Sequence, residues 1–315
     1  MSRHFACNAR VIALLASSFL AITASSPAQS QNFPENKPES CKDIWSEIGL
    51  PKAGSGMKIT TVCHLGYITG HNNENKGPAW VIERLTPALT KGKATRENQS
   101  FSADDKLPAA AQAQPADYDG NGFGFDQGHN APAADFAGKQ EFLDDTFFLS
   151  NAVPQVGAGF NRSIWRSLEA QVRNLVGNNH PVIYVITGSV DQQEKPIKIS
   201  KDVCKTELEL PVVEPTSICK ENHHKKKVQC DAGVAVPAAM FKIVYDPVAK
   251  NAFAVLMENE SHTGRYKSGQ GAEYIRAHKV GIATIENLTG LKFFADFPAR
   301  KQNQMRSNCV DVKVR

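Results

Sequence analysis

The chain has 315 residues, of which 41% are hydrophobic and 22% charged, with a formal net charge of +4. That length buries a substantial core in one large domain or two small ones. The charge excludes a strongly polybasic protein; it permits a nucleic-acid partner without demanding one, because a local basic groove matters more than the total.

Residues 1–28 read as a secretory signal. Arg3 and Arg10 supply the basic start, residues 11–24 the apolar stretch, and Ser26-Pro27-Ala28 a small-residue cleavage site. The apolar stretch is shorter than the ~20 residues needed to span a bilayer. A secreted or periplasmic protein is expected, with no membrane contact after cleavage. Residues 29–58 read as an N-terminal extension and residues 59–315 as the main domain. Of seven cysteines, Cys7 leaves with the signal, and the remaining Cys41, Cys63, Cys204, Cys219, Cys230 and Cys309 are even in number, which points to disulfides. Cys41 is expected to pair with Cys63, with a further set among the other four. No Cys-x-x-Cys pair occurs, which argues against a zinc site.

In chain order, residues 41–50 suit a short helix ended by Pro51 and the Gly54-Ser55-Gly56 turn. Residues 59–67 alternate and carry β-branched side chains, as a strand does, and residues 77–85 suggest another. A loop with Lys91, Lys93, Arg96, Asp104 and Asp105 follows. Residues 108–124 form an irregular connection. Within it, Asp117 to Gly122 matches the opening half of a calcium loop, but Gly128 stands where the closing Glu belongs, so a plain polar turn is the better reading.

The stretch Phe125-Asp126-Gln127-Gly128-His129-Asn130 reads as turn-like, and His129 is a candidate general base because imidazole titrates near neutrality. Asn151 lies downstream. Residues 163–176 are the clearest helix, with apolar residues at helical spacing. Glu169 and Arg173, four apart, share one of its faces. Asn161 stands just before it, placed to cap the helix or to hold a metal. Residues 181–188 form a nearly continuous apolar run, the mark of a central strand buried on both faces. Residues 220–227, rich in Lys with His223 and His224, read as a solvated loop, with phosphate contact or metal binding as alternatives. Residues 240–245 and 252–257 should form a hairpin about Asp246-Pro247. Residues 280–290 read as a helix ended by Gly290, followed by an aromatic packing segment.

Asp126-Gln127-Gly128-His129, followed in order by Asn151, Asn161, Glu169 and Arg173, resembles the DNA/RNA non-specific endonucleases, the ββα-metal nucleases whose signature is Asp-Arg-Gly-His. The likeness extends over residues 59–297 and is most specific between Asp126 and Arg173. It implies an α+β fold with a central, mainly antiparallel sheet flanked by helices and a ββα-metal active site. It also implies roles: His129 as base, Asn161 as the direct protein ligand of Mg2+ (with Mn2+ as an alternative), and Glu169 holding metal-bound water. Asn151 would order the site, Arg173 would lie near the scissile phosphate, Arg96 would contact phosphate, and Asp126 and Gln127 would lie at the substrate. The implied activity is internal cleavage of DNA and RNA with little sequence preference, leaving 5′-phosphate ends. Gln127 departs from the family's Arg; an amide still hydrogen-bonds but lacks the charged fork of guanidinium. That departure keeps open a nucleic-acid-binding protein with a decayed site, and the modest charge keeps open a phosphodiesterase for small substrates. An inhibitor protein is a further partner such an enzyme can have, and the sequence leaves the oligomeric state open.

Overall fold

A computed structural model describes residues 38–309 apart from 120–121, 178, 192–194, 201, 214–215 and 219–232. The secretory-signal reading, the basic run at 220–227, Cys219, Cys230 and part of the calcium-like loop lie outside the described residues.

The strands that build the main sheet and the site are, in chain order, β1 (Ile59–Cys63), β2 (Tyr67–Asn72), β3 (Gly77–Leu85), β4 (Phe125–His129), β5 (Ala152–Val156), β6 (Ile183–Val190), β7 (Ala239–Asp246), β8 (Asn251–Glu258) and β9 (Lys279–Val280). Seven of them form one sheet in the order β1-β2-β3-β6-β7-β8-β9 with every pair antiparallel, while β4 and β5 pair separately. The apolar run at 181–188 is indeed central, fourth of seven. The predicted hairpin is β7–β8, with Asp246 opposite Asn251.

The expected strand over 59–67 is two strands. The chain reverses at His64–Gly66, where the His64 amide donates to the Tyr67 carbonyl at 2.9 Å. A side chain at position 66 would put its Cβ 2.3 Å from the Phe136 ring, so only glycine lets this turn pack there. Cys41–Cys63 and Cys204–Cys309 are disulfides, the first tying the segment before the sheet to its edge strand.

Alternation along the strands sends side chains to two cores. On one face Trp80, Ile82, Ile186, Phe241 and Ile243 meet Ile44, Ile48 and the C-terminal aromatics Phe293 and Phe294. On the other, Val81, Val185, Met240 and Val244 lie under Ile164, Trp165, Leu168 and Val172. The helix carrying those last residues was expected from residue 163. It begins earlier: Gly157–Trp165 forms wide helical turns broken at Ala158 and Gly159, and α1 (Arg166–Arg173) continues it. Gly159 has φ 83°, and a Cβ there would sit 2.2 Å from Ser261 Oγ, so this bend also requires glycine. Further helices are α2 (Gly271–Ala277), α3 (Ile282–Thr289) and α4 (Ala299–Arg306). Gly290 closes α3 in the left-handed conformation, φ 70°, as its position predicts. No helix among the described residues is long and apolar enough to cross a membrane.

Candidate active site

The stretch around His129 is a strand, not a turn. Asp126 pairs with Gln155 and His129 with Ala152, so β4 and β5 make a two-stranded ribbon in front of the bent helix. The sequence looked turn-like because of Gly128, but that glycine is a packing requirement: a Cβ there would fall 2.2 Å from the Gln155 side chain.

His129 ends β4 with its ring 4.6 Å from that of Phe101 and 4.9 Å, edge-on, from that of Phe147. Its Nε2 is shielded from solvent and has no hydrogen-bond partner. Burial, aided by the Arg96 guanidinium, pushes the imidazole down to about 3, so it is neutral at neutral pH and free to accept a proton. Asn151 fixes the chain just beyond it. Its Oδ1 accepts from Ala131 N at 2.8 Å, and its Nδ2 donates to the Ala131 and Thr146 carbonyls at 3.0 and 2.9 Å.

Asn161 does not cap the helix; its Nδ2 donates to Asp126 Oδ2 at 2.9 Å, linking the helix to the ribbon. Arg162 reaches the same oxygen at 3.2 Å. Gly157 makes room for this group, since a Cβ there would lie 2.4 Å from Arg162 Nη2. Two turns on, burial pushes the Glu169 carboxyl up to about 7; Lys242 and Arg173 oppose the rise and Asp135 adds to it. Glu169 and Arg173 share a helix face, as their spacing predicts, without forming a salt bridge to each other. Arg173 Nε instead meets Asp135 Oδ1 at 2.5 Å, with Asp135 almost wholly buried.

Three residues in this region were not singled out from sequence. Asp135 belongs to the loop after His129, while Glu83 and Lys242 project from β3 and β7 on the site side of the sheet, as Val81 and Met240 do. All are at most 2% exposed. Lys242 Nζ donates to Thr187 Oγ1 at 2.5 Å. Burial and the neighbouring Asp135 raise Glu83 well above the carboxylate range. The available signal was a charge inside an apolar strand, on the face that must be buried.

These parts meet in an open cleft of about 1290 Å³ lined by Asp126, Gln127, His129, Asn161, Glu169 and Arg173. Arg96, Arg162 and Arg166 also line it. Asn151 does not line it; its hydrogen bonds hold the backbone just beyond His129.

A family model described as DNA/RNA non-specific endonuclease matches residues 47–300. The chain belongs to that family. Among its relatives, the mitochondrial nuclease of Saccharomyces cerevisiae is 31% identical over 247 residues, covering 78% of this chain and 68% of the relative. The mitochondrial endonuclease G of Bos taurus is 30% identical over 234 residues, covering 74% and 69%. A crystal structure of an EndoG/EndoGI complex, described as showing the mechanism of EndoG inhibition, superimposes with a TM-score of 0.64 at 26% identity, covering 84% of this chain and 95% of that one. The endonuclease family thus accounts for the sheet and for the enzyme class: the chain is a nuclease acting on nucleic acid. The expectation of a secreted or periplasmic protein is overturned, because mitochondrial nucleases recur among the relatives. The physical reason is that the first 34 residues, with arginines, serines and no acid before Glu35, have a composition that suits mitochondrial targeting as well as secretion.

Proposed function

We propose that the protein is a metal-dependent endonuclease that hydrolyses DNA and RNA internally with little sequence preference and leaves 5′-phosphate ends. The observation that carries this reading is the convergence of His129, Asn161 and Glu169 in one arginine-lined cleft, from a ribbon and a helix that Asn161 and Asp126 join.

The donor set fits a hard divalent cation. Asn161 Oδ1 and the carboxyl groups of Asp126 and Glu169 are oxygen donors, and a divalent ion held beside Glu169 would oppose the rise to about 7 that burial imposes on it. Asn161 would hold the ion directly and Glu169 would hold its water, with Mg2+ preferred and Mn2+ able to substitute. When bound, the ion neutralises charge on the phosphate and on the leaving oxygen.

The chain's own groups do the rest. With Nε2 shielded, His129 takes a proton from water through Nδ1, and the water oxygen attacks phosphorus. The bond from phosphorus to the 3′ oxygen breaks and that oxygen takes a proton from solvent water, giving a 3′ hydroxyl and a 5′ phosphate. A nearby phosphate anion raises the basicity of His129 above its value in the free protein. Arg173, held by Asp135, presents charge to the scissile phosphate, and Arg96 at the cleft edge binds a flanking one. Contacts chiefly to phosphate carry no base information, which gives indifference to sequence and sugar. An inhibitor protein able to cover this arginine-lined cleft would block it.

The test uses supercoiled plasmid and, separately, RNA, with Mg2+ or with excess chelator. Loss of both polymers only with Mg2+, and fragment ends that a ligase joins without prior phosphorylation, are the expected results. Survival of both polymers alongside retardation in a shift assay would replace this reading with a nucleic-acid-binding protein.

A further inference from the structure

A second cluster of ligand-type side chains lies behind the bend that carries Asn161. Strand β8 ends at Glu258, His262 follows four residues later, and His278 follows the last residue of α2. All three are at least nine-tenths buried, and their ligand atoms lie within 4.8 Å of one another. His278 Nε2 is 3.5 Å from Glu258 Oε2, an oxygen that is shielded from solvent and makes no hydrogen bond.

The hydrogen bonds around the cluster choose the tautomers. His262 Nε2 lies 3.0 Å from the Glu258 backbone carbonyl and His278 Nδ1 lies 2.8 Å from that of Tyr274. A carbonyl only accepts, so each of these nitrogens carries a hydrogen. A neutral ring then keeps its lone pair on the other nitrogen, His262 Nδ1 and His278 Nε2. An imidazole that donates one N–H to a backbone carbonyl is oriented as metal-ligating histidines are. The Tyr274 hydroxyl, 2.8 Å from His262 Nδ1, donates to that nitrogen, and an ion bound there would displace it from the lone pair. Arg265 bridges the two acids, with Nη1 3.9 Å from Glu258 Oε1 and Nη2 2.5 Å from Glu260 Oε1, which leaves Glu258 Oε2 as the oxygen facing His278.

We propose that Glu258, His262 and His278 form a structural site for a divalent transition-metal ion of the zinc class. Two nitrogens and one oxygen suit zinc, cobalt or nickel better than magnesium. Tetrahedral ligands about 2.1 Å from an ion stand about 3.4 Å apart, close to the His278–Glu258 separation, and closing the rest of the cluster needs shifts of about 1 Å. The absence of a Cys-x-x-Cys pair does not bear on a His₂Glu set. The site would act on the neighbouring bend: the His262 amide donates to the Gly159 carbonyl at 3.3 Å, and its ring lies 5.6 Å from that of Phe160. Fixing His262 therefore fixes the turn from which Asn161 rises.

The experiment strips the full chain with chelator, then titrates Zn2+ against a chromogenic competitor while following thermal unfolding. One tightly bound zinc per chain and a midpoint raised by several degrees are expected. Binding should weaken at least about a hundredfold in Glu258→Gln and His278→Gln, yet persist in Asn161→Ala, which separates this site from the cleft. Zinc that binds wild type and both cluster variants equally, or fails to raise the wild-type midpoint, overturns the proposal and leaves a plain His278–Glu258 ion pair. Should the variants not fold, Co2+ added to wild type decides: intense visible bands of a four-coordinate ion support the site, and weak octahedral absorption overturns it.

Discussion

The two faces of the central sheet do different work with the same strands. On the face toward the C-terminal helices, Phe241 and Phe293 meet edge to face with ring centroids 5.7 Å apart, amid apolar side chains. On the cleft side, the same strands bury Glu83, Thr187 and Lys242 beneath the site helix. An apolar side chain gains about 1.5–3 kcal/mol on burial. A buried charge instead costs several kcal/mol in desolvation and needs partners to offset it. One face therefore supplies stability, and the other spends part of it to hold Glu169 and Arg173 in place.

The two faces should differ most in their effect on activity. His129→Ala should lower cleavage by about 100- to 10,000-fold, the span typical of a general base, with circular dichroism and thermal midpoint close to wild type. A variant that still cuts plasmid at the wild-type rate would move the base elsewhere. Next come matched core substitutions. Phe293→Ala should cost about 3–5 kcal/mol in denaturant unfolding, since it empties a filled apolar site, while activity per folded molecule stays unchanged. Lys242→Met should cost a similar 3–5 kcal/mol, because it leaves buried carboxyls without their cation. Unlike Phe293→Ala, it should also impair cleavage, since Glu169 then becomes harder to ionise. If both variants behave alike in activity, the division of labour between the faces is wrong.

The apolar face was the legible one. The run at 181–188, the β7–β8 hairpin and the Gly290 cap all follow from local patterns, because burial on one side writes its period into the sequence. The cleft-side residues named from sequence, His129, Asn161, Glu169 and Arg173, do converge, but their order along the chain carried that inference rather than any local rule. What stayed hidden depends on distant contacts. Gly128 looks like a turn signal and is instead the gap that admits Gln155. Asp135 stood beside the signature, yet nothing local says that its partner is Arg173, 38 residues on. Glu83 and Lys242 break the apolar pattern of their strands, which reads as surface until the helix above them is placed.

A smaller effect reads the cost of the cleft side directly. Glu169 titrates near 7 in the fold, against an ordinary value of 4.5. Between those values the folded state binds more protons than the unfolded state, so this residue makes the metal-free protein less stable as pH rises through that window. His71, lowered to about 4 chiefly by burial, works oppositely: its contribution is lost as pH falls from 6.5 toward 4. Comparison of wild type with Glu169→Gln isolates the first effect. The variant should gain relative stability from pH 5 to pH 7.5 without metal, and Mg2+ should narrow the gap by favouring the ionised carboxylate. A difference that is constant with pH would mean that burial does not raise the Glu169 carboxyl in the fold.

The smallest effect concerns Gln127, which stands where the resemblance implies Arg. Gln127 lines the cleft on β4, one strand position from Asp126. A hydrogen bond from a neutral amide is worth about 0.5–1.5 kcal/mol and one from a charged group about 1.5–3 kcal/mol. Gln127→Arg should therefore strengthen a phosphate contact by about 1 kcal/mol, or about fivefold. Arg96, Arg162 and Arg166 already line the cleft, so part of that gain should be lost to repulsion and to screening by salt. The expected result is a modest rise in kcat/KM on DNA at low ionic strength that fades as salt increases, with no change in the ends produced. A rise of a thousandfold instead would mean that Gln127 holds the wild-type site nearly inactive, and that the charge at this position belongs to the chemistry rather than to binding.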